Sequence, residues 1–294
     1  MKIILIFIAM CSLAAAQSFK ALQRINLTEA GDSLLLSPMA IDISPEQKVY
    51  VVDTGHNRIV VMDIRGKVVR TIGGFGFDEE QFDEPRDIWS RSVVDIFVSD
   101  YNNRRLQRFD RQLNFLSFLE ANSALSEELQ FDYAASCAVS SQNELFLLSR
   151  NQDKVIKYNR NGDAEYAFGY LESASAELNE PQQIDIWRGD RLLVSNSGDS
   201  SVIVYDFFGN LVRRISSPRF VSPSGLTIIN DDYFLLSDPQ AGRLFLIDHH
   251  YAVRAVKAAP VKHPRDAAAI KDGDRYLLFV LDGNEVIKGI LTLP

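Results

Sequence analysis

The sequence predicts an all-β fold: a six-bladed β-propeller of four-stranded antiparallel blades, closed by the N-terminal strand completing blade six. Three observations carry this. First, an alternating apolar run at 49–52 ends at Asp53, the polar turn Thr54-Gly55-His56-Asn57 follows, and Arg58 opens a second run, closed by Asp63. Runs of about five residues with period-two alternation between turn residues are strands, not helices. Second, the unit recurs at 95–110, 144–159, 191–206, 232–248 and 275–290. Its turn-opening positions, Asp53, Asp100, Arg150, Asn196, Asp238 and Asp282, stand 47, 50, 46, 42 and 44 residues apart. Four-stranded sheets at such a period stack radially into a propeller. Third, the sixth unit runs out of chain after Ile290, and its missing fourth strand appears at 19–27, which matches 66–74 and 209–217 in apolar spacing and arginine.

In chain order, residues 1–16 read as a signal peptide: Lys2, an apolar core over 3–10, and Ala14-Ala15-Ala16 before Gln17. A lipid anchor at Cys11 fits less well, because Met10 is bulky where a small residue is expected. Cleavage would leave one domain, 17–294, with Cys137 as its single cysteine, so no internal disulfide is expected although export would permit one. Cys137 lies in an apolar run and reads as a small buried hydrophobe. Each blade opens with an inner strand after Pro38, Pro85, Pro181, Pro223 or Pro264, with Ala134 in the third. A proline suits a strand's first residue, where no ladder donor is lost. Fourth strands are expected at 67–72, 113–119, 164–168, 211–215 and 252–256. Three inter-blade connections are long, 75–84, 119–132 and 171–180, and the second has the composition for a helical turn.

The 294 residues, 46% hydrophobic and 24% charged, suit a chain that buries a large core. Removing residues 1–16 takes away only Lys2, which moves the net charge from −8 to −9. An acidic chain is a poor candidate for binding nucleic acid through phosphates. No stretch outside the signal segment is long and apolar enough to span a membrane.

The turn Asp53-Thr54-Gly55-His56-Asn57-Arg58-Ile59 and the loop Gly76, Gln81-Phe82 and Pro85 resemble the NHL-repeat signature. The match is clearest in blade one and fades to strand pattern in blades three and six, and His56-Asn57 reverses the family's usual order. WD-type propellers fit poorly, because no Trp-Asp closes a third strand. The resemblance implies a six-bladed propeller. It leaves open protein-interaction modules, RNA-binding modules, a zinc-dependent amidating lyase and, among related propellers, metal-dependent lactonases.

The chemistry-bearing residues narrow this. A catalytic zinc site wants about three converging ligands. His249 and His250 belong to a turn on the face opposite His56 and His263, so no three-histidine set forms. GxSxG is absent, Cys137 has no evident histidine partner, and Gly73-Gly74-Phe75-Gly76 precedes a strand rather than a phosphate-cradling helix. Asp53, Asp100 and Asp238 pair in pattern with Arg58, Arg105 and Arg243, and because the pair repeats with the fold it reads as a turn-holding device rather than an anion ring. Non-repeating positions say more. After the blade-opening prolines come Arg86, Asp87, Gln182, Gln183, Arg265 and Asp266, which should ring a polar channel mouth fit for a ligand. The plainer reading is that these arginines and aspartates satisfy each other.

The three long connections hold twelve acidic residues and no Lys or Arg: Asp78, Glu79, Glu80, Asp83, Glu84, Glu120, Glu127, Glu128, Asp132, Glu172, Glu177 and Glu180. Such an acidic crescent keeps an exported protein soluble or attracts a basic partner, with Leu125, Leu129, Phe131 and Leu178 as apolar anchors. No cofactor is expected, with Ca²⁺ at the crescent a weak candidate. The expected function is a secreted or periplasmic binding module for a protein, peptide or envelope component. Its rival is a channel-mouth enzyme, a metal-dependent hydrolase or lactonase, or a lyase. The sequence names neither partner nor oligomeric state.

Overall fold

Middle strands that are apolar on both faces, such as Leu145–Ser149 and Lys154–Tyr158, must be covered on both faces. A radial stack does this, since each blade lies between two others. The computed structural model describes residues 18–25, 27, 35–170 and 176–294. The expected signal segment and Glu172 lie outside the described residues.

Strand β1 (Ser18–Ile25) comes first. Blade one is β2 (Ala40–Ile43), β3 (Lys48–Asp53), β4 (Arg58–Asp63) and β5 (Val68–Gly73). Blade two is β6 (Pro85–Trp89), β7 (Asp95–Asp100), β8 (Arg105–Asp110) and β9 (Phe115–Glu120). Blade three is β10 (Ala134–Val139), β11 (Leu145–Ser149), β12 (Lys154–Tyr158) and β13 (Ala164–Phe168). Blade four is β14 (Pro181–Trp187), β15 (Arg191–Asn196), β16 (Ser201–Asp206) and β17 (Leu211–Ser216). Blade five is β18 (Leu226–Ile228), β19 (Tyr233–Asp238), β20 (Arg243–Asp248) and β21 (Val253–Ala255). Blade six is β22 (Pro264–Asp272), β23 (Arg275–Asp282) and β24 (Glu285–Thr292), with β1 as its outer strand. All pairs within the blades are antiparallel. The expected helical turn in the second long connection is a single 3-10 turn, Glu127–Leu129.

Six apolar clusters fill the spaces between neighbouring blades. Cys137 is free and buried in the layer between blades two and three. Outer strands are covered only on the inside, and β5 and β9 are largely exposed.

One hydrogen bond recurs in every blade. The side chain of the residue closing the second strand accepts the backbone N–H of the residue two before the blade-opening proline, or before Ala134 in blade three. Leu36 donates to Asp53 (2.7 Å), Asp83 to Asp100 (2.8 Å) and Asp132 to the Ser149 hydroxyl (3.2 Å). Asn179 donates to Asn196 (2.6 Å), Val221 to Asp238 (2.7 Å) and Lys262 to Asp282 (3.0 Å). This corrects the repeat alignment in blade three. Ser149, paired with Lys154 as Asp53 is with Arg58, takes the turn-opening role expected of Arg150.

The arginine partners also divide. Arg58 Nε donates to Asp53 (2.8 Å) and Arg105 Nε to Asp100 (2.7 Å). Arg105 also donates to the carbonyls of Phe77, Asp78 and Gln81, so it ties the incoming connection to blade two. Arg243 is exposed, and Asp238 is instead satisfied by the N–H groups of Val221, Ser222 and Ala241.

Closure rests on β1, which pairs with β24 from Ser18↔Thr292 to Ile25↔Val286 and buries Phe19 and Ile25. Deleting residues 18–25 removes one strand's packing, on the order of several kcal/mol against a total of roughly 5–15. The melting temperature should fall by about 10 °C. A truncated chain that melts with the full chain would show that the ring does not depend on this closure.

Candidate channel-mouth site

The mouth is built by bulges. Between Pro85 and Asp87, Ala134 and Ser136, Pro181 and Ile184, and Pro264 and Asp266 the pairing with the second strand shifts register. The residues thrown out of register include Arg86, Gln182, Gln183 and Arg265. A bulge re-aims the extra side chain and bends the strand. Here all four, with Asp87 and Asp266, line one cavity of about 30 Å³ that Met39, Ala40, Ser224 and Gly225 complete. That holds one or two waters. The structure thus brings all six sequence-predicted mouth residues together.

They do not satisfy each other as pairs. Asp87 accepts from the Ser136 hydroxyl (2.5 Å) and Gln183 Nε2 (3.1 Å). Asp266 accepts from the N–H of Ile41 (2.9 Å) and lies 3.4 Å from Gln183 Nε2. Gln183 also accepts from Leu226 N–H, and Gln182 donates to Glu180 O and the Ser197 hydroxyl. These bonds staple neighbouring inner strands around the ring. Gly225 lets blade five approach, since a Cβ there would stand 2.4 Å from Asp266 Oδ1. The arginines take other company. Arg86 lies over the Tyr101 ring, 3.6 Å from its centroid, and Arg265 Nη1 is 3.1 Å from the Met39 sulfur.

Burial sets the electrostatics. It pushes the Asp87 carboxyl up to about 7, against the Ser136 and Gln183 hydrogen bonds, with the Asp42 charge adding to the rise. It pushes Asp266 well above the carboxylate range, and the Asp87 charge adds to this. Arg265 is lowered by burial first and then by the nearby charge of Arg86.

The other end of the channel is plugged, which the sequence did not reveal. Arg91 bridges Asp42 (3.2 Å) and Asp185 (2.5 Å), and Ser90 N–H donates to Asp42 (2.7 Å). Blade-distant partners such as Asp42 and Asp185 carry no local spacing signal.

None of the four histidines lines the mouth. His56 Nδ1 lies 2.9 Å from Asp53, and His263 donates its N–H to Asp282. His249 and His250 stack on each other in the β20–β21 turn. Among the described residues no group of three or more His, Cys, Asp and Glu is arranged to hold a metal ion.

The acidic crescent lies beside the mouth, on the connections into blades two, three and four. Asp78, Glu79, Glu120, Glu127, Glu128 and Glu177 are exposed, and Glu80, Asp83 and Glu84 are half-buried. Glu127, Glu128 and Glu177 meet in a hollow of about 600 Å³ with Asp153, Lys154 and Tyr170. Asp153 is raised by burial and by the charges of Glu180 and Glu177, whereas burial lowers Lys154, whose amine donates to the Glu127 and Glu128 carbonyls. The expected apolar anchors are corrected in part. Phe131 and Leu178 are core residues, each 2% exposed, so they contact no partner. Phe75 (76% exposed) and Phe77 (62%) are exposed aromatic groups within the acidic connections.

Six four-stranded antiparallel blades in a ring define a six-bladed propeller, and the chain's sequence relatives include NHL-repeat proteins. No protein-family model matches the chain. It is 27% identical over 125 residues to protein brain tumor of Drosophila melanogaster, covering 42% of this chain and 12% of that protein. It is 26% identical over 99 residues to the E3 ubiquitin-protein ligase NHLRC1 of Homo sapiens, covering 34% and 25%. It is 32% identical over 99 residues to NHL repeat-containing protein 2 of Gallus gallus, covering 29% and 13%. The matches thus span a quarter or less of these relatives' length. Among solved structures, a streptogramin B lyase superposes with a TM-score of 0.65 at 13% identity, covering 94% of this chain and 98% of that one. Virginiamycin B lyase from Staphylococcus aureus gives 0.65 at 16%, covering 94% and 100%. At such identities these likenesses show the fold alone. The resemblance to NHL-repeat propellers read from the turn residues holds. Among the described residues no helix is long and apolar enough to cross a membrane.

The raised carboxyls have a consequence for stability. Asp87 titrates at about 7 folded against 3.8 unfolded, so between these values the folded state holds a proton the unfolded chain releases. Stability from this group is therefore greatest on the acid side and is lost as pH rises through about 7, by a few kcal/mol at most. Asp266 acts in the same direction. Melting should be several degrees higher at pH 5.5 than at pH 8, and Asp87→Asn should shrink that difference. Equal pH dependence in variant and wild type would show that Asp87 is not the group concerned.

Proposed function

We propose that this chain is an exported binding module that takes a basic protein or peptide on the face carrying the channel mouth. The observation that carries the reading is the composition of that face. Two exposed phenylalanines, Phe75 and Phe77, stand in an arc of carboxylates beside a small polar mouth. Exposed aromatics amid charge are what interfaces use as anchors, and the arc supplies steering. Relatives with NHL repeats include a ubiquitin ligase, a class of protein that acts on other proteins. The chain's net acidity favours a protein over a nucleic acid. The segment 1–16 supports export, and sequencing the mature N-terminus from the native host should find Gln17 first.

A steered complex weakens with salt over a Debye length of about 8 Å at physiological strength. Changing Glu79, Glu80, Glu127 and Glu128 together to Gln should slow association with a captured partner about tenfold at low salt and leave melting unchanged. Phe75→Ala with Phe77→Ala should instead speed dissociation. Wild-type kinetics in both variants would remove this face from the interaction.

A further inference from the structure

We propose that the channel mouth is a carboxylate-binding site in which Arg86 and Arg265 grip one anionic group, the C-terminal carboxylate of a peptide. This rests on the reading of the mouth face as the binding face and names what enters the mouth. A guanidinium offers five N–H donors in a planar fork that matches a carboxylate. In Arg86 these donors are underused. Its Nε is buried with no hydrogen-bond partner among the described residues, and its ion-pair partner Glu84 stands 3.6 Å from Nη2, too far for a hydrogen bond. The Tyr101 ring, its centroid 3.6 Å from the guanidinium carbon, holds the group in place. Arg265 has the Met39 thioether as its hydrogen-bond acceptor among the described residues, and a thioether is a weak one.

Both arginines line the same small cavity, near enough for the charge of Arg86 to disfavour that of Arg265. Glu84 offsets the Arg86 charge from 3.6 Å and Asp266 offsets that of Arg265 in part, yet neither carboxylate is within hydrogen-bond distance of the guanidinium it faces. The carboxylates adjacent in sequence do not serve. Asp87 and Asp266 are buried and spend their oxygens on Ser136, Gln183 and the N–H of Ile41. Burial also raises both, which favours their neutral forms. The donors Gln182 and Ser224 are committed to protein oxygens.

Size and surroundings select the ligand. A cavity of about 30 Å³ takes a group of a few atoms, not a whole substrate. The connections into blades two, three and four beside it are acidic and hold no Lys or Arg, so a polyanion such as a phosphodiester chain laid across that side would be repelled. A single carboxylate at the end of a neutral or basic peptide meets the arginines with its head and the acidic arc with its body.

The test uses the full mature chain and follows the arginine Nε–H signals by NMR, assigned with Arg86→Gln and Arg265→Gln. Acetate is the first probe. It should shift the Arg86 and Arg265 signals saturably in the millimolar range, and either variant should weaken it at least tenfold. A short Lys-containing peptide with a free C-terminus should displace acetate at a concentration at least tenfold lower than acetate needs, and the same peptide amidated should not. The absence of a saturable acetate shift in the wild type would overturn the site, while salt-dependent partner association would still stand. A free-acid peptide no better than acetate would overturn the peptide assignment in favour of a small organic acid. Equal displacement by acid and amide would show that the carboxylate is not what is recognised.

Discussion

The fold depends on one repeated bond: a buried acceptor at the end of each second strand takes the N–H of the chain as it arrives from the previous blade. Asp53, Asp100, Ser149, Asn196, Asp238 and Asp282 do this around the ring. A loop that comes in over a packed edge carries N–H groups that water no longer reaches, and leaving one unpaired costs about 1–3 kcal/mol. A carboxylate in the same place costs more unless donors surround it. Each solves the other's problem. The bond also pins the chain two residues before the blade-opening proline, or before Ala134 in blade three, and so sets how every blade approaches the axis. Ser149 shows that an acceptor is required but a charge is not.

From that fixed start the inner strands diverge. Bulges after Pro85, Ala134, Pro181 and Pro264 turn side chains toward the axis, where polar groups either staple the ring or remain available. Asp87, Ser136, Gln183 and Asp266 are staples. Asp42, Arg91 and Asp185 close the far end. Arg86 and Arg265 are what is left, and they point to the mouth as the place where this propeller differs from a bare scaffold. Function in such a ring is carried by positions that break the repeat, because positions that keep it are already used for folding.

Much of the site was legible for a simple reason. A proline opening five of the six blades, with Ala134 in the third, marks the same height around the ring, so the residues after it had to form a ring. The plug was not legible, because Asp42 and Asp185 meet Arg91 only through closure of the axis. Nor were the anchors. Phe131 and Leu178 lie in acidic loops yet pack inward, whereas Phe75 and Phe77 lie in an equally acidic loop and face out. Loop composition cannot tell these apart. The strand partner that a loop residue packs against is set by the next blade.

What the sequence determined alone is what repeats: strand period, turn chemistry, blade count and the N-terminal strand that closes blade six. These follow from local patterning and from an edge that needed a partner. What only the tertiary structure decided is which polar residue answers which. The shift of the turn-opening role from Arg150 to Ser149, the exposure of Arg243 and the unused Arg86 Nε donor depend on how the chain packs, and the raised carboxyls of Asp87 and Asp266 on desolvation among partners from other blades such as Ser136, Gln183 and Ile41. Hydrophobic period is written along one chain segment, but the cost of a buried charge depends on everything that surrounds it.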